Sequence, residues 1–102
     1  MSPRPTALSP VEIEVALSSL PGWSLRAGKL YRKFEFSDFL AALDFMNRAV
    51  GFIEEQNHHP EWLNVYNRVE VELITHEVQD RVGPALSKLD VALAKHLNAL
   101  AL

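Results

Sequence analysis

Apolar residues along the chain switch between a helical period and a two-residue period, and the order of the switches predicts three helices and four strands. Ser9 and Glu12 have the spacing of a capping box, with Pro10 at the first helical position. Ile13, Ala16, Leu17 and Leu20 then recur at helical spacing until Pro21-Gly22 ends the run. Two strand-like runs follow at 23–26 and 30–36, with Ala27-Gly28-Lys29 as the hairpin connection. Ser37 is the expected cap of a long helix reaching about Gln56, with Asp38 near its positive end. A second strand pair is expected at 61–66 and 69–75. Leu63, Val65, Val69, Val71 and Leu73 all fall at odd positions, so odd residues are expected to pair with odd and to share one face. Leu86, Ser87, Asp90 and Val91 have the spacing of a staple and a capping box, opening a last helix with Leu89, Leu93, Leu97 and Leu100 on its inner side.

The resulting order is α-β-β-α-β-β-α. Short turns join the strands of each pair, so the expected fold is α+β, a four-stranded antiparallel sheet with its helices packed on one face. One domain is expected over 8–102, after a flexible tail at 1–7. The long helix carries two apolar stripes. One is Phe39, Leu43, Met46, Val50 and Ile53; the other is Ala41, Phe45, Ala49 and Phe52. A domain this small has little material with which to cover a helix on two sides, so the second stripe is expected to meet another subunit. Glutamate at Phe45 or Phe52 should then change the assembled mass.

Composition narrows the possible functions. The 102 residues are 48% hydrophobic and 23% charged, the balance of a globular domain. A formal charge of -3 provides no basic footprint for a phosphate backbone, so direct nucleic-acid binding is not expected. No run approaches the roughly 20 apolar residues of a membrane span. The first residues lack the apolar core of a signal peptide, and a cytoplasmic location is expected. The absence of cysteine excludes disulfides, thiolate metal sites and a cysteine nucleophile. Histidine is left as the conspicuous reactive type.

Three of the four histidines, His58, His59 and His76, flank the second strand pair. With the turn within 66–69, paired positions sum to about 134 to 136, which brings His76 opposite residue 58, 59 or 60. Odd-with-odd pairing favours the even sums and sets His76 on the face of Trp62 and Tyr66. Pro60 stiffens the corner that carries the histidine pair. Three imidazoles could serve a catalytic zinc, but adjacent histidines project differently from an extended backbone, and no His-x-His or helical i,i+4 pair is present. Acid-base chemistry asks for less. Imidazole titrates near pH 6.5, so neighbouring histidines can hold one donor and one acceptor at neutral pH. Asp90 has a structural role as the acidic member of its capping box, and Glu54 reads as a helix-surface residue.

The spaced set Glu54, His58-His59-Pro60, Tyr66, His76 and Asp90 resembles the signature of the pterin-4a-carbinolamine dehydratases. The likeness extends to Pro21-Gly22-Trp23, to residues 34–39, to 61–67, to Thr75-His76-Glu77 and to 86–90. It implies an enzyme that removes water from a 4a-hydroxytetrahydropterin, releasing the quinonoid dihydropterin for reduction and reuse by aromatic amino acid hydroxylases. The resemblance implies no cofactor, no metal and no membrane, and it implies a homodimer or homotetramer. Carried over by position, His58, His59 and His76 are the active-site histidines, with His58 and His76 as the proton-transfer pair and His59 holding the pterin. Pro60, Thr75, Glu77 and Val78 would line the substrate pocket, with Glu54, Trp62 and Asp90 in support. The segment 78–85 looks longer than in many relatives. Some proteins of this family act instead through protein contacts, as a transcriptional coactivator does in animals, and that is the competing reading.

Overall fold

Both expected capping boxes close. The structure, a computed structural model, describes residues 4–102. Helix α1 spans Pro10–Ser18; the Ser9 hydroxyl accepts from the Glu12 amide at 3.1 Å, and the Glu12 carboxylate accepts from the Ser9 amide at 2.8 Å. Helix α3 spans Lys88–Leu100 and opens on the matching pair Ser87 and Asp90. Between them lie β1 at Ser24–Arg26, β2 at Lys29–Glu35, α2 at Phe39–Gln56, β3 at Glu61–Val65 and β4 at Arg68–Leu73. The cap of α2 is Asp38 rather than Ser37, because the Asp38 carboxylate accepts from the Ala41 amide at 2.8 Å. A carboxylate there also meets the positive end of the helix dipole.

The strands form one antiparallel sheet in the order β1-β2-β4-β3. Leu30, Phe34, Val69, Val71 and Leu73 line its inner face and join Leu20, Trp23 and the apolar sides of α2 and α3 in one core. Phe34, Phe36 and Phe45 cluster there, with the Phe45 ring 4.8 Å from Phe34 and 4.9 Å from Phe36. At one end of α3, Asn98 accepts from the Trp23 indole at 2.7 Å and donates to the Pro21 carbonyl at 3.1 Å, which ties down the turn after α1. Gly22 in that turn has φ +86°, and a Cβ there would lie 2.6 Å from the Arg32 guanidinium.

The register of the second hairpin differs from the expected one. Glu61 pairs with Glu72, Trp62 with Val71 and Val65 with Arg68, so even residues of β3 lie opposite odd residues of β4. Leu63 and Val65 consequently sit on the open face of the sheet, and Trp62 packs on the core. The turn explains the shift. Tyr66 takes φ +49°, the Asn64 side chain donates to the Tyr66 and Arg68 carbonyls, and Asn67 exchanges two hydrogen bonds with Phe36. These contacts hold the connection at two residues, and the larger apolar surface of Trp62 takes the buried side.

Burial on α2 cuts across the two expected stripes. Phe45 and Ala49, expected at a subunit contact, are buried in the domain's own core beside Ala42 and Ile53. The exposed apolar face is formed by Phe39, Leu40, Leu43 and Val50. Glutamate at Phe45 would therefore disrupt the fold rather than report on assembly.

In the first hairpin Ala27 and Gly28 have φ +52° and +81°, both left-handed as a two-residue type I′ turn requires. Alanine is strained there, whereas asparagine tolerates it. Ala27→Asn should stabilise the protein by about 1 kcal/mol, seen as a melting temperature higher by about 4–8 °C.

Candidate functional site

The site begins where α2 ends. Asn57 takes the left-handed conformation at φ +49°, so its amide reaches the Glu54 carbonyl and the His58 amide reaches the Ile53 carbonyl, each at 3.2 Å. This pair of bonds is a Schellman termination, which reverses the chain direction sharply. The reversal turns His58 into the domain and leaves His59 outside. Pro60 then leads into β3, with its own φ held by the ring and His59 biased toward an extended conformation.

Inside, His58 Nε2 lies 2.7 Å from Asp90 Oδ1. Asp90 is fully buried, and its other oxygen accepts from the Thr75 hydroxyl at 2.8 Å and from the Ser87 amide at 2.9 Å. Thr75 spends its one proton on Asp90, so the 2.6 Å contact between Thr75 and Ser87 must be donated by Ser87. The chain of donors is complete. An ionised carboxylate only accepts, so the His58 proton sits on Nε2 and Nδ1 is the acceptor of the neutral ring. The backbone of Thr75 is held as well, by a two-bond bridge to Ala85 at 3.0 and 2.9 Å.

Each of the other two histidines lies near a carboxylate. His59 Nε2 is 2.6 Å from Glu54 Oε2, one turn back on α2. His76, beyond the end of β4, has Nε2 3.9 Å from Glu61 Oε2. Glu61 is in turn held by Lys29 at 2.6 Å, and that bond, with the carboxylate charge behind it, raises the lysine pKa above its ordinary value. The three histidines line one open pocket of about 710 Å³ together with Pro60, Glu61, Ile74, Thr75 and Glu77. Among the described residues, no group of three or more His, Asp or Glu side chains is placed to share a metal ion. A second concavity, about 560 Å³ between α1 and α3, contains none of the histidines.

Placement differs among the remaining expected residues. Glu54 and Asp90 do not line the pocket but hold residues that do. Trp62 packs on the core, and Val78 is buried away from the pocket lining. His96, outside the cluster, stacks on Phe52 with ring centroids 4.2 Å apart. Glu61, Glu55, Leu89, Arg4 and Pro5 line the pocket without having been expected there. Position next to Pro60 was the available signal for Glu61. Arg4 and Pro5 had none, since they reach the pocket from the far end of the chain.

Asp90→Asn tests the buried pair. The asparagine oxygen can still accept from Ser87 and Thr75, but its NH₂ then faces His58 and requires a lone pair on Nε2. Nitrogen NMR of the imidazole should show the proton moved to Nδ1, with stability lower by about 1–3 kcal/mol. An unchanged tautomer would mean that Asp90 does not set it.

Comparison with known proteins shows the family of the chain. The family model described as pterin 4 alpha carbinolamine dehydratase matches residues 6–100. Two provisionally named pterin-4-alpha-carbinolamine dehydratases are similar over most of their length. That of Synechococcus sp. (strain WH7803) is 45% identical over 87% of this chain and 90% of its own. That of Solibacter usitatus (strain Ellin6076) is 43% identical over 94% of this chain and 96% of its own. The crystal structure of a transcriptional coactivator/pterin dehydratase from Brucella melitensis superposes with a TM-score of 0.85 at 39% identity, covering 94% of this chain and 99% of the other. With nearly its whole length matched, the chain belongs to the pterin 4 alpha carbinolamine dehydratase family.

Proposed function

We propose that the protein dehydrates a 4a-hydroxytetrahydropterin to the quinonoid dihydropterin by histidine acid-base catalysis. The observation that carries the reading is the set of three histidines around one pocket, two hydrogen-bonded to carboxylates and the third 3.9 Å from one. In the reaction the C4a–O bond breaks, and the departing hydroxide takes a proton and leaves as water. N5 gives up its proton as the C4a=N5 bond forms, so one proton is donated and one accepted. His58, with its proton held on Nε2 by Asp90, is suited to accept at Nδ1. His76 is suited to donate, because it stands exposed at the pocket, where its ring can exchange protons with solvent, with Glu61 Oε2 3.9 Å from its Nε2. Glu54 steadies His59, which holds the pterin ring. The quinonoid product would then pass to a reductase for reuse by a hydroxylase.

The test follows loss of enzymically generated 4a-carbinolamine above the buffer rate. His58→Ala and His76→Ala should each lower kcat by about 10²–10⁴-fold. His59→Ala should act mainly on KM. No acceleration by the unaltered protein would refute the dehydratase reading, and full activity in both alanine variants would refute the assignment of roles.

Self-association belongs to the same reading, on the exposed face of α2 where Leu40 and Val50 are 71% and 47% accessible. Four large apolar side chains on one helix face, Phe39, Leu40, Leu43 and Val50, suit contact with a second copy. Leu40→Glu combined with Val50→Glu should lower the mass measured by light scattering and leave the circular dichroism spectrum unchanged.

A further inference from the structure

Residues 1–7 were expected to be a flexible tail. The first three residues of the expected tail lie outside the described residues, but the segment from Arg4 to Leu8 is bound along the chain that follows β4. Gln79 donates to the Pro5 carbonyl at 3.0 Å, the Ala7 amide donates to Asp80 Oδ1 at 2.9 Å, and the Leu8 amide donates to the Leu86 carbonyl at 2.8 Å. Arg4 Nη2 lies 2.8 Å from Glu77 Oε2. These contacts bring Arg4 and Pro5 into the wall of the histidine pocket, opposite in sequence to everything else there.

Arg4 is chemically distinct in that wall. Among the described lining residues it is the one arginine or lysine, in the company of Glu55, Glu61 and Glu77. Its guanidinium has five N–H donors in a planar fork and no acceptor, and the contact with Glu77 engages one edge. The side chain is 64% exposed, so the other donors are open to a ligand. On the dehydratase reading, on which this inference rests, the histidines act at C4a and N5. The next ring atom, C6, carries the substituent that distinguishes one natural pterin from another, and that substituent leaves the ring beside the reacting atoms.

We infer that Arg4 is a specificity-determining residue that hydrogen-bonds acceptor oxygens on the pterin C6 substituent, with Glu77 and the bound segment 4–8 holding its fork in place. The ligand class is a pterin with hydroxyl or carboxylate oxygens on C6, in preference to one with a bare alkyl group. Glu77 holds the guanidinium through one contact, from Nη2 to Oε2 at 2.8 Å. The bonds to residues 79, 80 and 86 fix the backbone from which Arg4 extends.

The experiment measures quenching of pterin fluorescence by the full chain and by Arg4→Ala, using 6-methylpterin, biopterin and pterin-6-carboxylate as probes. Arg4→Ala should weaken biopterin binding about five-fold and pterin-6-carboxylate binding about ten-fold or more, the scale of a guanidinium hydrogen bond to a neutral hydroxyl and to an ionised carboxylate at an exposed site. Its affinity for 6-methylpterin, which offers no oxygen on C6, should change by less than about two-fold. Arg4→Lys, which keeps the charge and loses the fork, should recover part of the carboxylate affinity and less of the biopterin affinity. Equal losses for all three probes would show that Arg4 only supports the fold, and no loss for any would show that it does not reach the ligand; either outcome overturns the inference. Failure of the unaltered protein to bind any of the three is a different result and overturns the pterin reading itself.

Discussion

The Asp90 carboxylate is the point on which fold and site both depend. One oxygen closes the cap of α3 and takes the Thr75 hydroxyl, and the other takes His58. A carboxylate so fully removed from water is tolerable only when its lone pairs are occupied, and here three donors from three chain segments occupy them. The same demand therefore joins the end of α2, the segment after β4 and the start of α3. Without it, His58 would be a half-hidden ring of undefined tautomer.

The other two histidines are held more lightly. His59 and Glu54 are both exposed, and His76 stands 3.9 Å from its carboxylate. A gradient results, from a buried imidazole bonded through Nε2 to two accessible ones around the same opening. That gradient suits division of labour, since a ring with a defined proton position and a ring free to exchange with solvent do different things to a substrate. The arrangement is built at element termini, with His58 and His59 after α2, Glu61 at the start of β3 and Thr75 and His76 after β4. The rigid sheet and helices set the positions of side chains that lie at or just beyond their ends.

Much of the fold was legible because its signals are local. Capping boxes span four residues, the first hairpin connection was legible to within one residue from its glycine, and helical periodicity repeats within a turn, so α1, α3 and the element order could be read directly. The β3–β4 register could not. It depends on Asn67 finding Phe36 and on Trp62 competing with Leu63 for the core, both decided by partners distant in sequence. The stripes of α2 show the same limit. Both are apolar at helical spacing, and which members of each are buried depends on how the helix is rotated against Phe34 and Phe36.

For the site, residue types and their spacing were enough to single out the three histidines and to mark Asp90 as a capping residue. Sequence alone determined what chemistry was available: imidazoles, carboxylates and no thiol. Tertiary structure decided the pairing of each histidine with its carboxylate, made the capping residue a partner of His58, and brought Arg4 across to the pocket. The physical reason is that a hydrogen bond is specified by a position in space to within a few tenths of an ångström. Such a position is set by the packing of whole elements, and sequence spacing encodes it only where both partners lie within a turn of one another.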